Sequence, residues 1–147
     1  MSRLIHRRRL LEAGLAASVG WAVPASRACE FFGANLRVFH PWSRATAPDA
    51  TTGILCMTID EVTAEDRLIG AQSPVAESVQ MGGSGAGPDV DLLIPPGRET
   101  VLSEAGAHLL LVGLKHPLEM GRSYPLLLTF ARSGAVISKL NVDYAFR

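Results

Sequence analysis

The chain has little of several features that would place it in a common functional class. Its only cysteines, Cys29 and Cys56, are too far apart to form a C-x-x-C redox or zinc motif. Its 14 basic and 14 acidic residues balance, so no excess of positive charge supports binding to nucleic acid. The longest apolar segment, residues 10–23, has roughly 14 residues, whereas a transmembrane helix needs about 20. We therefore expect neither a nucleic-acid-binding protein nor a stable membrane span.

No arrangement of catalytic residues stands out either. Ser73 lies in Ser-Pro-Val-Ala, which is not the G-x-S-x-G turn that exposes a nucleophilic serine. The glycine-rich residues 82–88 lack the Lys-Ser/Thr pair of a phosphate-binding loop. His108 and His116 are eight residues apart, which is not a zinc-binding spacing. The sequence therefore predicts that the protein is not an enzyme.

Residues 1–28 have the pattern of a secretory signal peptide. A basic head with three arginines at residues 7–9 precedes the short apolar segment, and Ser26 and Ala28 are small residues suited to cleavage. The arginines also fit a twin-arginine export signal, so both export routes stay open. Cys29 directly after Ala28 admits a lipoprotein alternative, although Ser26 is not the aliphatic residue that a lipobox has at that position.

Removal of residues 1–28 would leave one domain, residues 29–147, with a net charge near −4. This domain has an ordinary size. Its apolar residues occur in short segments bounded by turn signals, such as residues 90–94, and no long segment has a helical period. Residues 108–114 are nearly all apolar, as in a strand buried on both faces. The pattern predicts about seven to nine short strands in a sandwich or barrel, with a flexible loop at residues 82–88.

Four short segments together carry a family resemblance. They are residues 41–46 (PWSRAT), 66–68 (DRL), 73–76 (SPVA) and 108–115 (HLLLVGLK). With weaker matches through most of residues 33–142, they resemble the periplasmic copper chaperones of the PCu(A)C family. The resemblance implies an all-β, cupredoxin-like Greek-key β-sandwich located in the periplasm. It also implies a carrier that delivers Cu(I), for example to cytochrome oxidase assembly proteins.

The same resemblance implies that most of the copper ligands are missing. Members of the family hold Cu(I) with a histidine after the SPVA strand, a methionine in the following loop and a His-x-Met pair. His108 matches the histidine of the pair, but its methionine position is Leu110 and the first histidine position is Gly82. The loop methionine has no counterpart. Because thioether and imidazole groups are the soft ligands that suit Cu(I), we expect weak or no Cu(I) binding at the family site.

Other side chains could complete a remodelled site in which His108 is the best candidate. We consider Met81, Met120 and His116 as additional metal ligands. Strand alternation directs Met81 into the core unless the adjacent glycines let it swing outward, and His116 is also compatible with a surface position. The alternative function is a metal-free periplasmic binding or assembly module on the same scaffold.

Cys29 and Cys56 are expected to form one disulfide, because an even pair of cysteines in an oxidising compartment favours pairing. Two alternatives stay open. The cysteines could form a soft thiolate pair for Cu(I), or they could be two unpaired thiols.

Overall fold

The structure, a computed structural model, describes residues 29–143, and the expected signal peptide of residues 1–28 lies outside this described part. The described residues form ten β-strands and one short 3-10 turn, Gly83–Gly85. The strands are β1 Glu30–Phe32, β2 Arg37–Ser43, β3 Thr52–Asp60, β4 Asp66–Gln72, β5 Ala76–Gly82, β6 Leu92–Ile94, β7 Thr100–Leu102, β8 His108–Leu114, β9 Ser123–Phe130 and β10 Gly134–Val142. Between residues 29 and 143, no helix has the length and apolar character needed to cross a membrane.

The strands form a curled sheet with the hydrogen-bonded order β5-β8-β3-β2-β10-β9-β4-β6. β1 pairs with β2, and β7 pairs with β3, beside this path. Neighbouring strands are antiparallel except β10 and β2, which are parallel. The curl brings β4 against β5, so the inner faces enclose a single core. The predicted all-β, cupredoxin-like sandwich is therefore confirmed.

Strand alternation explains which side chains form the core. In β10, Val136, Leu140 and Val142 are buried, and the residues between them mostly face outward, as the two-residue period of a strand requires. β3 departs from this pattern, because Leu55, Cys56 and Met57 are all buried in succession. The outer face of β3 must therefore also be covered at this point.

A buried carboxylate ties β4 to the turn between β9 and β10. The two carboxylate oxygens of Asp66 accept hydrogen bonds from the backbone N–H groups of Arg67 and Arg132, both at 2.8 Å, and of Ser133 at 2.9 Å. Burial alone would raise the pKa of Asp66, but these hydrogen bonds outweigh it and hold the pKa below its ordinary value. The ionised carboxylate thus stabilises the contact between these elements.

One edge of β3 has two successive partners, and this break positions the site described below. β8 pairs with the first half of β3, up to Leu55, and β7 pairs with the second half, from Met57 onward. Residues 103–107 leave the sheet between β7 and β8, and the N–H of Ser103 donates to the carbonyl of Ala107 at 2.8 Å. Cys56 lies where β3 changes from one partner to the other.

Candidate metal site

His108 is the first residue of β8, and its ring lies over glycine. It is paired across the sheet with Gly82, the last residue of β5. A methyl group added at Gly82 would lie 2.7 Å from Nε2 of His108, closer than van der Waals contact permits. The imidazole therefore occupies space that exists because position 82 has no side chain. His108 is only 7% exposed.

A single hydrogen bond orients the His108 ring. Its Nδ1 lies 3.2 Å from the carbonyl oxygen of Ser103. Because a carbonyl can only accept, Nδ1 of the neutral ring carries the proton and donates it, which leaves the lone pair on Nε2. Metal-binding histidines are commonly arranged in this way, with one ring nitrogen bonded to backbone and the other available to the metal. His108 is therefore chemically competent to bind a soft metal ion.

The other two positions expected at the site lie beside His108. A Cβ atom added at Gly82 would lie 3.4 Å from Cβ of Leu110. Positions 82, 108 and 110 therefore share one face of the β5–β8 pair. Of these three positions, only His108 carries a metal donor. In the part of the chain that the structure describes, no three side chains of His, Cys, Asp or Glu are grouped closely enough to hold a metal ion.

Met81 lies on the opposite face from His108. It is 4% exposed and belongs to the hydrophobic core. Two backbone hydrogen bonds join Met81 to Gly87, so the glycine-rich segment forms a closed turn. The structure does not bring the thioether of Met81 together with the imidazole of His108 at one exposed edge, because Met81 packs inward beneath the turn.

His116 and Met120 lie past the other end of β8. The six residue steps from His108 to Leu114 span about 20 Å in an extended strand, whereas metal–ligand bonds are only about 2 Å long. His116 packs against the Tyr124 ring at 5.5 Å between centroids, and Met120 is 44% exposed in the next loop. Neither can share one metal ion with His108 in this conformation.

An ion pair that interacts electrostatically with His108 is formed by two residues that were not predicted as site residues. Arg44 donates from Nε and Nη2 to the carboxylate of Glu104 at 2.7 and 3.0 Å. The hydrogen bond from Arg44 holds the pKa of Glu104 below its ordinary value, and His108 acts in the same direction. The pair joins the residue after β2 to the segment between β7 and β8.

Cys56 is buried, and both charges of the same ion pair act on its thiol. Burial raises the pKa of the Cys56 thiol to about 11, with a smaller contribution from the negative charge of Glu104. The thiol is therefore protonated at neutral pH. Glu104 therefore interacts electrostatically with both Cys56 and His108. The local sequence carries no signal for this proximity, because the proximity depends on which strands pair and where they do so.

The predicted disulfide is absent from the structure, in which Cys29 and Cys56 are both free. Cys29 directly precedes β1, which pairs with β2, and Cys56 lies opposite Trp42 on the other side of β2. Two strand spacings amount to about 9–10 Å, and a disulfide requires Cα atoms within about 7 Å. The intervening strand therefore separates the two thiols.

One family model matches most of the described residues. Residues 36–142 match the LpqE-like family model, described as "Putative lipoprotein LpqE-like". A search of the curated proteins found no match.

Solved PCuAC domains have the same fold. The copper-bound PCuAC domain from PmoF2 is 26% identical with a TM-score of 0.70, over 79% of this chain and 98% of that one. The apo PCuAC domain from PmoF1 is 25% identical with a TM-score of 0.72, over 79% and 99%. The Cu(I) form of DR1885 from Deinococcus radiodurans shares the fold at 24% identity, with a TM-score of 0.60 over 71% and 75%. The chain belongs to the LpqE-like family and has the β fold of PCuAC domains.

Proposed function

We propose that this protein is an exported copper-chaperone-like carrier whose Cu(I) site is reduced and centred on His108. Export is supported by the signal-peptide pattern of residues 1–28. The copper cargo is supported by the similarity to the copper-bound PCuAC domain from PmoF2. The observation that carries the proposal is the orientation of His108, whose Nδ1 is held by the Ser103 carbonyl so that Nε2 keeps its lone pair.

The reduced ligand set predicts a weaker and more easily released cargo than a complete His–Met set would hold. Gly82 offers no side chain, and the Leu110 side chain has no donor atom. Each lost ligand lowers affinity, and every 1.4 kcal/mol of binding free energy corresponds to a factor of about ten. We propose delivery to cytochrome oxidase assembly proteins in the periplasm, where a loosely held ion passes readily to a partner with more donors.

A second candidate function is a metal-free binding or assembly module on this scaffold. The occupation of the Gly82 space by the His108 ring favours it, because the ring then acts as a packing element. The two functions differ in one measurable property, which is whether the exported chain binds Cu(I) at all.

The test is competition for Cu(I) between the chain from residue 29 onward and a chelator of micromolar affinity, without oxygen. The carrier proposal expects the chain to take copper from the chelator and His108→Ala to abolish the uptake. If the wild-type chain takes none, the metal-free module stands. If His108→Ala still takes copper at the wild-type level, the site lies elsewhere.

A gain-of-function variant sharpens this test. Leu110→Met places a thioether on the face that His108 occupies and should tighten Cu(I) binding at least about tenfold. Leu111→Met is the matched control, because Leu111 is fully buried on the core side and the exchange nearly conserves volume. Equal effects of the two substitutions would contradict the placement of the site.

A further inference from the structure

The pairing of β3 places Cys56 beside the start of β8. Leu55 is paired with Leu109 of β8, and Met57 is paired with Leu102 of β7. The residue between them therefore lies opposite the point where the chain leaves β7 and enters β8, and His108 is the residue that precedes Leu109.

Strand alternation puts the side chains of Cys56 and His108 on the same face. Leu55, Met57 and Leu109 all belong to the core. Because successive side chains of a strand point to opposite faces, Cys56 and His108 both point away from that core. Glu104 interacts electrostatically with both groups, which agrees with this placement.

The environment of the Cys56 thiol is dry and lacks a hydrogen-bond partner. Cys56 is 0% exposed, and among residues 29–143 no hydrogen bond to its sulfur is found. The Arg44–Glu104 ion pair, whose two charges both act on the pKa of this thiol, is occupied with its own two hydrogen bonds. A sulfur in such a position has no assigned role in the fold beyond filling space.

We propose that Cys56 and His108 together bind one Cu(I) ion, with the thiolate sulfur and the imidazole Nε2 as its two donors. This inference rests on the proposed function, and it adds a ligand from β3 that the family resemblance did not supply. Thiolate and imidazole are both ligands that suit Cu(I). On binding, the sulfur–copper bond replaces the S–H bond, the proton leaves to water and copper keeps its oxidation state.

Binding requires the His108 ring to leave its place over Gly82. A change to another staggered χ1 well would turn the imidazole from β5 toward β3. The hydrogen bond to the Ser103 carbonyl, which leaves the lone pair on Nε2 in the free protein, would then be exchanged for the bond from Nε2 to copper. The bound ion would then lie near the Arg44–Glu104 ion pair, since Glu104 interacts electrostatically with both proposed ligands. Because Arg44 is more than half exposed, the pair can open to admit or release the cargo.

The experiment compares Cu(I) affinity among single-cysteine variants by chelator competition. Cys56→Ser should weaken Cu(I) binding at least about 100-fold. Cys29→Ser, the matched control, should stay within about twofold of wild type. A thiolate-to-copper charge-transfer band should be present in Cys29→Ser and absent in Cys56→Ser. The charge-transfer band of copper-loaded Cys29→Ser tests the inference even if Cys56→Ser fails to fold.

The outcomes separate this inference from the proposed function. If the wild-type chain binds no Cu(I), the carrier proposal and the assignment of Cys56 as a ligand are both wrong. If wild type and folded Cys56→Ser bind equally, or if copper-loaded Cys29→Ser shows no charge-transfer band, the thiolate assignment falls and the carrier proposal survives. If Cys29→Ser loses copper instead, the assignment is also overturned, and the donors lie in the groove of about 510 Å³ that Cys29 and His40 line.

Discussion

Substitution of Gly82 by alanine tests whether the His108 ring occupies the space over this glycine. The backbone at Gly82 has φ −129° and ψ 174°, which any residue adopts, so alanine introduces no backbone strain. By itself the exchange would stabilise the chain by about 0.5–1 kcal/mol, because alanine restricts the unfolded state. The opposing cost comes from the added methyl group, which would lie 2.7 Å from Nε2 and 2.8 Å from Cδ2 of His108.

The expected net effect is a destabilisation of about 1–3 kcal/mol. Displacement of a packed ring costs about 1–3 kcal/mol, and loss of the bond between His108 Nδ1 and the Ser103 carbonyl costs about 1 kcal/mol. These costs exceed the entropic gain. For a domain of about 100 residues, each kcal/mol lowers the melting temperature by about 4 °C.

Urea unfolding of the two single variants and the double variant measures the coupling free energy between positions 82 and 108 directly. In the His108→Ala background, Gly82→Ala should be neutral or stabilising by about 0.5 kcal/mol, since the obstructing ring is gone. Gly87→Ala is the control within the same turn, because a methyl group there meets no atom within 4 Å. If Gly82→Ala costs the same free energy with and without His108, the steric reasoning is refuted.

The remaining predictions concern stability and thiol reactivity. Asp66→Asn should lower the free energy of unfolding by about 2–4 kcal/mol at pH 7. The folded pKa of Asp66 lies below the ordinary 3.8, so the carboxylate stabilises the fold at pH values above 3.8, and this stability is lost as the pH falls through the folded pKa. A difference in unfolding free energy between wild type and Asp66→Asn that stays the same at pH 2 in urea titrations would contradict this. Gly83→Ala should cost more than about 3 kcal/mol, because φ is +69° and its methyl group would lie 1.9 Å from the Gly106 carbonyl oxygen. Gly97→Ala, at φ +76° in open space, should cost only about 1 kcal/mol. Thermal unfolding of both glycine variants measures this difference. A thiol reagent at pH 8 should label half-buried Cys29 before buried Cys56, whose pKa is raised to about 11, and both should react in denaturant; faster labelling of Cys56, or no free thiols, would contradict the structure.

The longer strands could be predicted from the sequence, whereas β1 could not. Residues 108–114 coincide with β8, and the turn signal at residues 95–97 follows β6. β1 has only three residues, too few for a two-residue period to be recognised. The fold class was accessible because each longer strand carries its own pattern.

The composition of the site depended on strand pairing, which a local pattern does not contain. The sequence predicted His108 as the best metal-ligand candidate, which stays a prediction, and Met81 was expected in the core unless it swung outward. It also favoured a disulfide between Cys29 and Cys56 over two unpaired thiols, whereas the structure has both thiols free with β2 between them. The proximity of Cys56 to His108 arises where β3 changes from β8 to β7, and no local property of the sequence marks that position.

The His108 ring limits which side chains position 82 can accept. A histidine introduced at position 82 by one substitution would collide through its Cβ with the imidazole already there. The ring at position 108 would have to move first, so a second imidazole donor beside His108 requires changes at both positions rather than at one.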